Sequence, residues 1–310
     1  MDFRQLEYVI TIAREGTISA AAEVLYLTPS ALSQHIARLE EELRTPLFKR
    51  SKAGWIPTHA GHIYLNMARN ILQQQAQAYR QIDDIADSKI GNFTVGVTPG
   101  QGTRLFSEIY PIFKEEFPGF HVGLKEGSVS EITGFISSRN VDIGFLTSEL
   151  QVPGIISEPQ IREDILLAVP SSHPLAQLAD EVPPGTYASI DLKLLENEEF
   201  LLAGKGTTLR MLEDRAFFQA GFSPKVAFET TSLTTLNMLA QIGYGIAFVP
   251  RSYVDLSGSA VYFLTNPPAF WDRVVCYRKD HYFTKAEEYM ISLANNFYRN
   301  LFEDEGRPPK

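Results

Sequence analysis

The sequence predicts an α/β chain headed by an all-α winged helix-turn-helix, with a long linker helix between the two parts. Three observations predict it: short helical patterns with a tight turn before residue 45, one narrow apolar stripe over 58–87, and strand–helix alternation after residue 92. A chain of 310 residues, 44% hydrophobic and 21% charged, has apolar side chain enough for more than one core.

The first helix follows from Phe3, Leu6, Val9, Ile10 and Ala13 on one stripe, and Gly16 ends it. Thr17 caps the second, whose run Ser19 to Ala22 is small enough for another helix to cross closely. Thr28 and Pro29 fit the N-cap and first-turn positions of the third, over about 29–43, which buries Leu32, Ile36, Leu39 and Leu43. Together they make a helix-turn-helix trihelix. Pro46 stops the third helix, and Leu47 to Arg50 and Trp55 to Pro57 flank a polar turn as a hairpin wing. Thr58 caps a helix reaching about Asp87, with Ala60, Tyr64, Met67, Ile71, Gln74, Ala78, Ile82 and Ile85 on its stripe. So long a helix with so narrow a stripe asks for a partner helix, most simply its own copy, with Tyr64, Met67, Ile71 and Ile82 on the seam. A lone connector packed on the next domain is the plainer alternative.

Residues 88–92 read as a hinge. Beyond it, strands near 93–97, 121–124 and 141–146 alternate with helices near 102–117 and 129–138, a βαβαβ unit with a parallel sheet. Residues 161–170 leave as a strand, and a second α/β run follows, with helices near 207–219 and 232–242. Residues 273–277 look like a returning strand and 284–301 a closing helix. The expected domains are therefore 1–57, 58–87 and 93–310, the last made of lobe I (93–161 and 267–301) and lobe II (162–266). Two α/β lobes joined by two crossings form a clamshell, a periplasmic-binding-protein-like effector domain.

The net charge of −9 is unevenly placed: residues 1–87 carry −1 and residues 88–310 carry −8. Arg38, Arg44, Lys49, Arg50 and Lys52 cluster where acidic residues thin out, so a nucleic-acid footprint would be small and local. The single cysteine, Cys276, sits in an apolar run and excludes an intramolecular disulfide. Charges at Asp2, Arg4 and Glu7 speak against a secretory signal, and no apolar stretch is long enough to span a membrane, so a cytoplasmic chain without a membrane partner is expected. The six histidines show no paired metal-ligand spacing, and no nucleophile elbow appears. No metal, cofactor or catalytic residue is expected, and the chain reads as a non-enzyme. The segment Gly204 to Thr208 lacks the spacing of a nucleotide-binding loop. A solute-binding protein is the other rival for the C-terminal two-thirds.

On the third helix the face opposite the apolar stripe carries Ser30, Ser33, Gln34, Ala37 and Arg38. It suits the major groove, where Gln bonds adenine and Arg guanine bidentately. The hydroxyls of Thr28, Ser30 and Ser33 suit phosphates. From composition alone, a solvated face of an interaction domain fits equally well. In the C-terminal part, hydroxyls and glycines recur where strands end: Thr98, Gly100, Gln101 and Gly102; Ser128; Thr147; Thr207; and Thr231. Helix N-termini at such turns offer amides and a positive dipole end to a small anion. Taken singly, each turn is equally well a helix cap.

The run Leu25 to Glu40 resembles the recognition region of LysR-type transcriptional regulators, as do Leu47-Phe48-Lys49-Arg50, Thr58-His59-Ala60-Gly61 and the opening Phe3 to Tyr8. Ala220 to Pro224 and Gly243 to Pro250 are similar to the family's sensor-domain motifs. Arg44 stands where the family often has glycine, Gln34 where a basic residue is common, and Trp55 is unusual in the wing. The resemblance implies double-stranded operator DNA and a small-molecule effector as partners; the third partner expected is the chain itself, as a homodimer or a tetramer. It implies Arg50 as the wing's DNA contact, with Lys49 and Lys52 as lesser ones, and Thr98, Ser128 and Thr207 as the leading effector contacts.

Overall fold

The computed structural model describes residues 2–51, 54–85, 90–148, 152–183, 186–255 and 258–303. The chain divides into two compact units, Met1–Ser88 and Lys89–Lys310.

In the first unit, α1 (Phe3–Glu15) starts on a capping box between Asp2 and Gln5, and Gly16 closes it in the left-handed conformation. Thr17 caps α2 (Ile18–Val24), and Thr28 caps α3 (Pro29–Leu43), accepting the N–H of Ala31 at 3.2 Å. Ala21 and Ala22 are fully buried, which is where α1 and α3 approach α2. Arg44 ends α3 with φ 52°, a left-handed residue, and that conformation explains why glycine is favoured at such a position. The hairpin β1 (Phe48–Ser51) and β2 (Gly54–Pro57) follows. Then comes α4 (His59–Ile85), whose entry is pinned: Thr58 Oγ1 donates to Pro46 O at 2.7 Å and accepts the N–H of Gly61 at 3.0 Å. A Cβ on Gly61 would lie 2.0 Å from Leu47 O, so only glycine lets the helix pass.

Among the described residues of α4, Gly61, Tyr64, Leu65 and Ala68 are buried, and Tyr64, Leu65 and Ala68 join Leu6, Val9, Ile12, Leu32, Ile36 and Leu39 in one core. Of the seam expected on this helix, Tyr64 alone is contradicted. Tyr64 is buried in the core of its own unit, and Met67 and Ile71 lean on that core. Of the four seam residues only Ile82 is open, at 59% exposure. The physical reason is that a four-three stripe fits a trihelix as readily as a second copy, and the first half of α4 covers α1.

The second unit is built on one nine-stranded sheet. Its first lobe contains β3 (Ile90–Val97), α5 (Gln101–Glu116), β4 (Gly119–Glu126), α6 (Val129–Ser137) and β5 (Ile143–Ser148), with β3 parallel to both β4 and β5. A long strand β6 (Ile155–Pro170) leads to the second lobe, where a short β7 (Ser189–Asp191) precedes β8 (Glu199–Ala203). Next come α7 (Thr208–Ala220), β9 (Lys225–Thr230), α8 (Leu233–Gln241) and β10 (Ile246–Pro250), with β8 parallel to β9 and β10. The chain returns through β11 (Ala260–Arg278) and ends in α9 (Lys285–Glu303). Phe93, Phe113 and Tyr298 fill the first lobe's core, and Phe200, Phe217 and Phe248 the second's.

Three expectations change. Residues 90–92 of the hinge are strand, paired with β4, while 88–89 lie outside the described residues. The strand begun at 161 starts at Ile155, and the return strand begun at 273 starts at Ala260. The lobe limits at 161/162 and 266/267 consequently fall inside continuous strands: β6 and β11 pair antiparallel along nearly their whole length and serve both lobes. Pro267 and Pro268 hid that continuity, because the ladder absorbs them as a register shift between Leu264 and Ala269.

Candidate nucleic-acid interface and ligand cleft

In the first unit Thr28, Ser30, Gln34 and Arg38 are exposed along one side of α3, Ser33 is half-buried, and Lys49 and Arg50 are exposed on β1. Lys52 lies outside the described residues. Ser33, Gln34 and Ala37 of α3 and Phe48, Arg50 and Trp55 of the wing line one groove of about 360 Å³. Helix and wing are bolted together by Glu40, whose carboxylate accepts the N–H groups of Leu47 at 2.6 Å and Phe48 at 3.1 Å. This polar, groove-bearing surface pairs hydrogen-bonding side chains that can read base edges with cations that can meet phosphates.

In the second unit a cavity of about 470 Å³ is lined from both lobes. The N-terminal residues of four helices reach it: Gly100 and Gln101 of α5, Ser128 and Val129 of α6, Thr207 and Thr208 of α7, and Ser232 and Leu233 of α8. Seven of the eight sequence-derived residues, Thr98, Gly100, Gln101, Ser128, Thr147, Thr207 and Thr231, line it. Gly102 does not. It is buried in the first turn of α5, where a Cβ would stand 2.8 Å from that of Val97, so its smallness serves helix–strand packing.

The hydroxyls differ in what they have left to give. Ser128 accepts the N–H of Glu131 and donates its hydroxyl and its own N–H to that carboxylate, both at 2.8 Å. Those bonds hold the exposed Glu131 carboxyl below its usual range. Thr207 accepts from Arg210 N and donates to Gly204 O at 2.8 Å. These two are helix caps, whereas Thr98 and Thr231 make no hydrogen bond through their hydroxyls among the described residues.

The cavity wall also holds residues that the turn pattern does not reveal: Trp271, Arg273 and Tyr253. Arg273 meets Glu163 at 2.6 Å, with side-chain exposures of 4% and 0%. Glu163 further accepts the indole N–H of Trp271 at 2.6 Å and the N–H of Ser252 at 2.8 Å. Burial is the largest single influence on the Arg273 guanidinium and lowers it, but Glu163, Tyr298 and Tyr253 together outweigh it, so the group stays a cation. Across the lobes, the Gln101 amide donates to Ser252 O at 2.8 Å, and the Tyr253 hydroxyl takes the Gln101 N–H at 3.2 Å. The signal available in the sequence was a charge of each sign, Glu163 and Arg273, inside two apolar strands.

Comparison with known proteins decides what these surfaces belong to. Residues 3–62 match the family described as "Bacterial regulatory helix-turn-helix protein, lysR family", and residues 86–297 match "LysR substrate binding domain". The chain belongs to the LysR family. It is a DNA-binding transcriptional regulator with an effector-binding domain, and not an enzyme. It is 30% identical over 301 residues to the HTH-type transcriptional regulator AlsR of Bacillus subtilis, spanning 95% of this chain and 96% of that one. It is 29% identical over 253 residues to the nitrogen assimilation regulatory protein nac of Escherichia coli, with 81% and 79% coverage. A variant of full-length OxyR from Pseudomonas aeruginosa shares the fold with a TM-score of 0.71 at 22% identity, covering 96% of this chain and 97% of that one. Full-length CbnR complexed with its target DNA does so with a TM-score of 0.62 at 21% identity, covering 96% and 99%.

Two further buried groups of this LysR regulator are structural. Asp142, His281 and Glu287 place potential metal ligands within 4.8 Å of one another. Glu287 takes the N–H and hydroxyl of Thr284 and meets the ring of His281 at the start of α9, while Asp142, just before β5, takes the Thr94 N–H of β3. In α7, Glu213 is wholly buried and meets the N–H of Ala203 at 3.0 Å. Burial drives its carboxyl well above the ordinary 4.5, against the opposing pull of that N–H. A carboxyl raised by folding contributes stability that is complete below 4.5 and lost as pH climbs through the raised folded value. Glu213→Gln is therefore expected to gain on the wild type in melting temperature as pH rises from 4.5 upward. A constant difference between the two melting curves at every pH would contradict this.

Proposed function

We propose that this regulator reads an operator through Thr28, Ser30, Ser33, Gln34 and Arg38 of α3 and Lys49, Arg50 and Lys52 of the wing, and answers to a small anionic metabolite held between its lobes. In this reading residues 1–57 bind DNA, 58–87 link, and 93–310 sense, inside the cytoplasm where operator DNA is found. The observation that carries the effector reading is the meeting of four helix N-termini on one cavity. Their dipoles favour an anion, and Arg273 adds little net charge because Glu163 neutralises it.

Within the cavity, the anion sits toward α5 and α8 rather than α6, since Ser128 is spent and Glu131 stands at that helix start. Thr98 and Thr231 donate the hydroxyls. No helix among the described residues is long and apolar enough to cross a membrane. Self-association uses the outward residues Tyr79 and Ile82 of α4, both 59% exposed, and two copies on one duplex would favour an inverted-repeat operator.

The test is a thermal-shift screen of small carboxylates, followed by calorimetry with a hit. Thr98→Ala and Thr231→Ala are each expected to weaken that ligand about tenfold or more, the worth of one hydrogen bond to a charged group. Operator binding without ligand should stay as in the wild type. Undiminished ligand affinity in both variants would mean that the anion binds elsewhere.

A further inference from the structure

We propose that Trp55 is a positioning residue that presents the Arg50 guanidinium to DNA, an inference that rests on the reading of Arg50 as a DNA contact. Arg50 and Trp55 face each other in the register of the wing hairpin, and the guanidinium carbon lies 5.0 Å from the centroid of the indole. Such a separation over the electron-rich face is a cation–π contact, for which Trp is the best partner. Arg50 is exposed, and its guanidinium makes no ion pair among the described residues.

The indole is itself held from two sides. Its ring meets Phe48, a buried member of the first unit's core, at 5.8 Å and 59°. The backbone N–H of Trp55 donates to Gly16 O at 2.8 Å, in the turn between α1 and α2. A ladder thus runs from the core through Phe48 and Trp55 to the cation. The same two wing residues line the groove that Ser33 and Gln34 of α3 enter, so the ladder ends beside the base-reading face. A flexible arginine loses much rotamer freedom on meeting a phosphate, and stacking removes part of that loss before DNA arrives. An aliphatic residue at 55 would still pack on Phe48 but would offer no aromatic face.

The experiment uses the full chain, a random-sequence DNA duplex and fluorescence anisotropy over a range of salt. Trp55→Leu is expected to weaken binding about two- to fivefold, the range of an exposed cation–π contact. It should also make the salt dependence shallower, as Arg50→Ala does, while Trp55→Phe keeps most of the wild-type behaviour. In the Arg50→Ala background Trp55→Leu should change nothing further. Trp55→Met, which keeps apolar bulk without a ring, takes the place of Trp55→Leu if the latter melts early. An equal loss with and without Arg50, or no loss while Arg50→Ala weakens binding, overturns the positioning role alone. Unaltered binding and salt dependence in Arg50→Ala overturns both this inference and the reading of the wing.

Discussion

Replacing Arg273 with Met is expected to cost the two-lobed unit about 3–5 kcal/mol, among the largest effects that a single substitution can have. The guanidinium is almost fully buried and pairs with a Glu163 that is buried completely. Without it, Glu163 keeps only the neutral donors Trp271 Nε1 and Ser252 N, and its charge loses its counterion. Urea unfolding of the full chain, followed through the Lys89–Lys310 unit, measures the loss. The double substitution Glu163→Gln with Arg273→Met should recover much of it, since no buried charge remains. A stability within error of the wild type in Arg273→Met alone would show that the pair is solvated in solution.

Removing the side chains proposed to read bases should act on a different observable. Gln34→Ala and Arg38→Ala are each expected to cost about 1–3 kcal/mol at one base pair and to relax preference at that pair alone. Both side chains are exposed on α3 and outside the core, so unfolding midpoints should stay put. Selection of operators from a randomised pool, with wild type and each variant in parallel, reads this directly. Identical selected sequences from all three proteins would remove α3 as the reading element.

The third helix and its cap were legible because their determinants are local. Thr28, Pro29 and the spacing of Leu32, Ile36 and Leu39 act within a few residues, and α3 begins and ends as that pattern indicates, but Leu43, expected in the core, is 39% exposed as the last helical residue before the left-handed Arg44. The strand–helix alternation after residue 92 was legible for the same reason. The burial of Tyr64 on α4 was not, because that residue looks the same from sequence whether it meets the core of its own unit or a second copy. Likewise the return strand read at 273–277 is the end of a strand that starts at Ala260, whose ladder shifts register at Pro267 and Pro268.

By itself the sequence determined the family, the order of elements and which turns fall at strand ends, since periodicity, capping and turn chemistry are short-range. Only the tertiary structure decided which hydroxyls are spent. Ser128 and Thr207 close their own helices, while Thr98 and Thr231 remain open to the cavity. It alone brought Glu163 on β6 across to Trp271 and Arg273 on β11, more than 100 residues away, within 3 Å. A hydrogen bond is fixed by geometry to a few tenths of an ångström, and no spacing along a chain encodes a distance across a sheet.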